Sequence, residues 1–185
     1  MFARNRAVVV GCCGLMLFLF GLSCSKPADI QHQQSYTDNG VSFQYPGNWT
    51  LVNNRFDSGA SQIRVESPQG SLVLVSISAE NDTTGLDEVF TLQAQELYDT
   101  IRTSGRSVLQ ESTVPVSTDS DGSPRRGMKR RIVTQMNGAQ HLYHLTVYQF
   151  RYENRQCHIV YQSEDPYVMD TVKGFELVLA SFHKK

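Results

Sequence analysis

The chain has 185 residues, with 17 basic and 18 acidic side chains and a formal net charge of −1. That length suits one domain plus a leader and is short for two. With 40% apolar and 19% charged residues, it can bury a core without metal or disulfides, and the charge balance excludes a general commitment to nucleic acid.

Met1 to Arg6 is short and basic, and Ala7 to Leu22 then runs for 16 residues without a charge. Crossing the hydrocarbon takes about 20 residues, so this run predicts a signal-peptide core rather than a permanent anchor. It ends in Phe20-Gly21-Leu22-Ser23-Cys24. That segment resembles the bacterial lipobox: Ser23 and Cys24 match its last two positions, Leu22 is acceptable, and Gly21 departs from the usual Leu. The resemblance implies loss of residues 1–23, diacylglycerol on the Cys24 sulfur and acylation of the new amine, which together anchor a protein stably. Ser25 in place of Asp implies the outer membrane, with the domain facing the periplasm. A conventional secretory signal or an uncleaved short anchor is the other reading. Without its leader the chain has 162 residues and a net charge of −3, because Arg4 and Arg6 leave and no acid does. Residues 24–35 show no apolar period and read as a flexible tether before a single domain, residues 36–185. Cys12 and Cys13 leave with the leader, so Cys157 is the one thiol of the domain, read as a packing residue in an alternating strand.

Val41 to Tyr45 alternates apolar and polar residues, breaks at Pro46-Gly47 and resumes at Trp49, predicting strand, turn, strand. Ile63 and Val65 mark another strand, and Ser71 to Ser78 a further one. Leu86, Val89, Phe90, Leu97, Tyr98 and Ile101 form one helical stripe over 86–103, with Asp87 and Glu88 in its first turn and Thr84 as the expected cap. Val108 to Val116 is a predicted strand and Ser117 to Pro124 a loop or wide turn. Asn137-Gly138 between Gly127–Met136 and Leu142–Tyr152 is a strong hairpin signal. A turn near Asn154-Arg155 leads into Gln156–Ser163, and Val168, Val172, Phe175 and Leu179 stripe a second helix over 167–180. The order predicts an α+β fold, an antiparallel sheet with helices covering one face.

Val41-Ser42-Phe43-Gln44-Tyr45-Pro46-Gly47-Asn48-Trp49, the central helix with a following three-stranded meander, and a closing helix ending at Ser181-Phe182 together resemble the PsbP-like superfamily. That group includes photosystem extrinsic proteins, Ran-binding Mog proteins and DcrB-type bacterial lipoproteins. The resemblance covers about Tyr36 to Phe182 and implies an α/β sandwich that binds protein partners without catalysis. Tyr45, Pro46 and Trp49 read as core and turn residues.

Candidate chemistry is sparse. If Asn154-Arg155 were a two-residue turn, His158 would face Arg151, far from His144, while His141 and His144 would point to opposite faces, so no shared metal is expected. Asp119-Ser120-Asp121-Gly122 opens like a calcium loop, but Pro124 and Arg125 stand where further ligands are needed. The sequons at Asn48 and Asn81 are turn residues. Adjacent Cys157 and His158 face opposite sides of a strand and form no catalytic pair. No cofactor is expected. The basic run Arg125, Arg126, Lys129, Arg130 and Arg131 reads as an anion-binding patch, as charges protecting an edge strand, or as one face of a solvated sheet paired with Asp119 and Asp121. The leading expectation is a non-enzymatic, lipid-anchored envelope module that binds a cell-envelope protein. The alternative is a docking module that meets anionic lipid or envelope polymer through the basic strand.

Overall fold

The computed structural model describes residues 26–38, 41–57, 59–120, 123–152, 154–164 and 167–184. Cys24 and the leader lie outside the described residues, as do Asp121 and Gly122. In chain order the elements are β1 (Gln34–Asp38), β2 (Val41–Tyr45), β3 (Thr50–Asp57), β4 (Ala60–Glu66), β5 (Leu72–Ile77), α1 (Leu86–Thr103), β6 (Ser107–Ser120), β7 (Ser123–Met136), β8 (Ala139–Tyr152), β9 (Arg155–Glu164), α2 (Val168–Ser181) and β10 (His183–Lys184). They make a seven-stranded sheet in the order β3-β4-β5-β9-β8-β7-β6 and a small sheet in the order β1-β2-β10. All pairing is antiparallel. Among the described residues no helix is long and apolar enough to cross a membrane.

The α+β class is as expected, but the helices do not share a face. Successive side chains of a strand point to opposite sides. Val160 packs with Phe90, Ala94, Leu97 and Ile101 of α1, whereas its neighbours Ile159 and Tyr161 pack with Phe175, Val178 and Leu179 of α2. Helix α1 therefore covers one face of the large sheet, and α2 with the small sheet covers the other. Amphipathic stripes require each helix to bury a side but do not say against which face.

The 41–49 motif serves this second layer. Phe43 is fully buried, and Trp49 is 2% exposed. A Cβ on Gly174 of α2 would lie 2.5 Å from Trp49 Cζ2 and 2.8 Å from Pro46 Cγ, so a glycine is what lets the helix rest on those rings. Buried hydroxyls join the first turn of α2 to the sheet. Thr171 Oγ1 lies 2.7 Å from Tyr161 Oη and 3.4 Å from Ser163 Oγ, and Ser163 Oγ lies 2.8 Å from Ser71 Oγ. Each partner satisfies a group that would be costly to bury alone.

Four local expectations are corrected. The polar stretch 117–124 is mostly strand, because β6 and β7 pair up to Ser120 and Ser123. Strands β8 and β9 pair Tyr152 with Arg155, so His158 faces Gln149 rather than Arg151. Helix α1 starts after Gly85 without a side-chain cap; Thr84 instead donates to the Asp82 carboxylate.

The last correction concerns the tether. Residues 26–33, expected to be free, lie against the domain. Ala28 N donates to Asp170 O (2.8 Å) and Gly47 N to Asp29 O (3.0 Å). Asn48 Nδ2 donates to Pro27 O, and Gln69 Nε2 to Lys26 O. Gln34 already belongs to β1. The Asn137-Gly138 hairpin is as expected, with φ of 52° and 83°.

Candidate functional site

Helix α2 packs over β9 and β2, leaving the same face of β6, β7 and β8 to form the wall of a cleft. Its volume is about 290 Å³. On the floor, the Phe175 ring stacks on Tyr161 at 4.8 Å and on Tyr148 at 6.1 Å between centroids. Val116, Val168, Val172 and Leu179 add apolar walls, and Lys129, Glu176, His144 and Thr146 supply polar groups. Burial, and then the nearby Glu176 carboxylate, push the Tyr148 phenol above its ordinary pKa, so at neutral pH it is a protonated hydrogen-bonding group. Gly127 makes room for it: a Cβ there would meet Tyr148 Cδ1 at 2.8 Å and Val147 O at 2.5 Å. This combination of apolar floor and a few polar groups is typical of binding pockets, at the small end of their size range.

Of these residues the sequence marks only His144 and Lys129 as candidates for a site, and it marks Val168, Val172, Phe175 and Leu179 only as the apolar stripe of α2. A signal was nevertheless present in β8. Tyr143, Leu145 and Val147 feed one face, while His144, Thr146 and Tyr148 alternate between them with groups too aromatic for a solvated side. That pattern marks a strand covered on both faces.

The basic run is not one patch. Arg125, Lys129 and Arg131 pair across from residues on the α2 face, whereas Arg126 and Arg130 point to the α1 face. Two of the five are structural. Arg125 is 4% exposed; its Nη1 donates to Leu179 O and its Nη2 to Phe182 O, at the end of α2. Its guanidinium lies 4.5 Å from the Phe150 ring. Arg130 does the corresponding work for α1: Nη1 donates to Tyr98 Oη (3.1 Å) and Nε to Thr113 Oγ1, under the Phe90 ring at 5.0 Å. Tyr98 in turn donates to the Glu111 carboxylate. Nor is β7 an edge strand, because β6 lies outside it. Of the run, only Lys129 reaches the cleft.

The three candidate histidines, His141, His144 and His158, are not brought together. His141 Nδ1 lies 2.9 Å from Glu164, which also pairs with Arg106 at 3.1 Å. His144 lines the cleft on the α2 face, and His158 lies on the other face beneath the 78–85 loop. Among the described residues no group of three acidic, His or Cys side chains is placed to hold a metal ion. Cys157 is buried, and desolvation pushes its thiol up to about 12, which leaves no thiolate for chemistry at neutral pH.

His158 is 1% exposed and accepts from Gln149 Nε2 at 3.2 Å when its Nε2 is unprotonated. Burial lowers its pKa below 6.5, opposed by the Asp82 carboxylate. A histidine with a depressed folded pKa binds its proton more readily when unfolded. Stability is therefore full above pH 6.5 and falls as pH drops from there to the lowered folded value. Asp82, itself lowered by its bonds to Thr84, contributes a separate loss only below its ordinary 3.8. Urea unfolding as a function of pH is expected to show a decline that sets in as pH falls below 6.5 and that His158→Gln flattens. An unchanged slope in that variant excludes His158 as its source.

No family model matches the chain, and no curated protein matches it in sequence. Solved structures to which it is similar include the following. The cyanobacterial PsbP (CyanoP) of Synechocystis sp. PCC 6803 is 18% identical, with a TM-score of 0.46 over 95% of this chain and 99% of that one. The Ran-binding protein Mog1p of Saccharomyces cerevisiae is 11% identical, with a TM-score of 0.43 over 82% and 95%. LpqN of Mycobacterium tuberculosis, involved in cell envelope biogenesis, is 11% identical, with a TM-score of 0.43 over 82% and 90%. A PsbP and a Mog protein are two of the kinds that the sequence resemblance implied. At these values the likenesses bear on neither activity nor partner; the α+β architecture stands on this chain's own strand order and helix packing.

Proposed function

We propose that the protein is a lipid-anchored envelope module that binds another envelope protein in the cleft beside α2 and catalyses no reaction. The cleft is the observation that carries this reading. Its Tyr148, Phe175 and Tyr161 floor suits an apolar side chain of a partner, and Lys129 and Glu176 offer one charge of each sign to the groups flanking it. Anchoring rests on the lipobox resemblance at Cys24, with the outer membrane as the site that Ser25 suggests. The division of the basic run weakens the alternative of an anionic docking strand, because Arg125 and Arg130 are occupied with the helices.

A photo-crosslinking side chain at the exposed Glu176, in the full chain in its own cells, tests the reading. One protein partner captured there, and not from Leu92 on α1, is the expected result. A further Lys129→Glu change should reduce that capture. Equal capture from both positions, or none from Glu176, overturns it.

A further inference from the structure

We infer that the end of the domain carrying the docked segment 26–32 lies directly on the bilayer, with Ile30, Leu51, Val52 and Met169 as its apolar contacts. This orientation rests on the proposed acylation of Cys24. The argument begins with how firmly the segment is held. Besides its bonds to Asp170, Gly47, Asn48 and Gln69, Asp29 N donates to Asn48 Oδ1 at 2.9 Å. The Asp29 carboxylate accepts from the backbone of Gln31 and His32. At Gly47 a Cβ would lie 2.0 Å from His32 O, so the chain passes too close for any other residue.

Lys26 is thus fixed against the β4–β5 turn, and Cys24 is two residues before it. Two residues span at most about 7 Å. Acyl chains on Cys24 therefore leave no room for the domain to stand away from the membrane.

The surface around the segment is suited to that contact. Of the large apolar side chains with substantial exposure, Met169 (76%) adjoins Asp170, which bonds Ala28. Ile30 (39%) lies in the segment itself, and Leu51 (38%) and Val52 (51%) follow the 46–49 turn on which it rests. Exposed apolar groups at a membrane-proximal surface gain by entering the headgroup boundary. The opposite end of the sheet, with the 78–85 loop, lies beyond the length of β5, about 20 Å away. The cleft then runs outward along α2, from Val168 near the bilayer to Leu179 far from it.

Single cysteines test the orientation, because the buried Cys157 does not compete for label. Met169→Cys, Ile30→Cys and, as the distant control, Thr83→Cys would be placed in the full chain. After processing in its own cells, each would carry a fluorescent label in phosphatidylcholine vesicles containing brominated lipid. Quenching at residues 169 and 30 is expected to exceed that at 83 by about threefold or more. Intact mass of the same preparations reports acylation of Cys24. An acylated product with equal quenching at all three positions, or more at 83, overturns the orientation alone. An unacylated product overturns the anchor and the orientation with it.

Discussion

Arg125→Ala is expected to lower the unfolding free energy by about 3 kcal/mol, while Arg126→Ala, one residue along the same basic run, stays within about 0.5 kcal/mol. The two side chains differ in what they face. The last carbonyls of a helix lack intrahelical partners and carry the negative end of its dipole. At the end of α2, the carbonyls of Leu179 and Phe182 receive both terminal nitrogens of Arg125. Alanine removes those two charge-assisted bonds in a site only 4% exposed and gives up the contact with Phe150. Arg126 is exposed on the other face. Arg125→Lys should recover only part of the loss, because an ammonium keeps the charge but not the planar fork that reaches two carbonyls. Urea unfolding of the three variants measures this. A cost below about 1 kcal/mol for Arg125→Ala would show that the bonds to α2 contribute little.

Much of the architecture was legible in local pattern. The apolar offsets of 86–103 delimit α1 as observed, and Asn137-Gly138 fixes the β7–β8 register because both residues sit at positive φ. What escaped had no periodic signal. Segment 26–33 is held through main-chain groups and the amides of Asn48 and Gln69, and such contacts leave no apolar repeat. Residues 117–120 are too polar to look like a strand, yet β6 is an edge with solvent on one flank and needs only β7 for pairing. The β8–β9 register departs from the expected one because the sequence Glu153-Asn154-Arg155 contains no glycine to pin it. The cleft draws its walls from four strands and a helix, so no window of sequence contains it. The splitting of the basic run was legible: in a strand over 127–136, simple alternation already separates Arg130 from Lys129 and Arg131.

The largest loss is expected at the rings beneath α2. Trp49→Ala should cost about 4 kcal/mol, the usual range for deleting a buried aromatic, since the indole is 2% exposed and packs on the helix at Gly174. Its contribution comes from ring contact, because among the described residues the buried Nε1 has no hydrogen-bond partner. Trp49→Phe should therefore be milder, about 1–2 kcal/mol, as it removes contact area together with an unsatisfied donor. The complementary change is Gly174→Ala. Alanine is the better helix former by about 1 kcal/mol, but its methyl would press on Trp49 Cζ2 and Cη2 and on Pro46 Cγ, all under 3.0 Å. Overpacking should win, for a net cost of about 2 kcal/mol. Phenylalanine lacks the two indole atoms that the methyl meets. Trp49→Phe combined with Gly174→Ala should then be less destabilised than the sum of its parts by about 1.5 kcal/mol, a coupling that a double-mutant cycle in urea resolves. Strict additivity would mean that helix and rings do not share the contact, and that some other feature determines where α2 lies on the sheet.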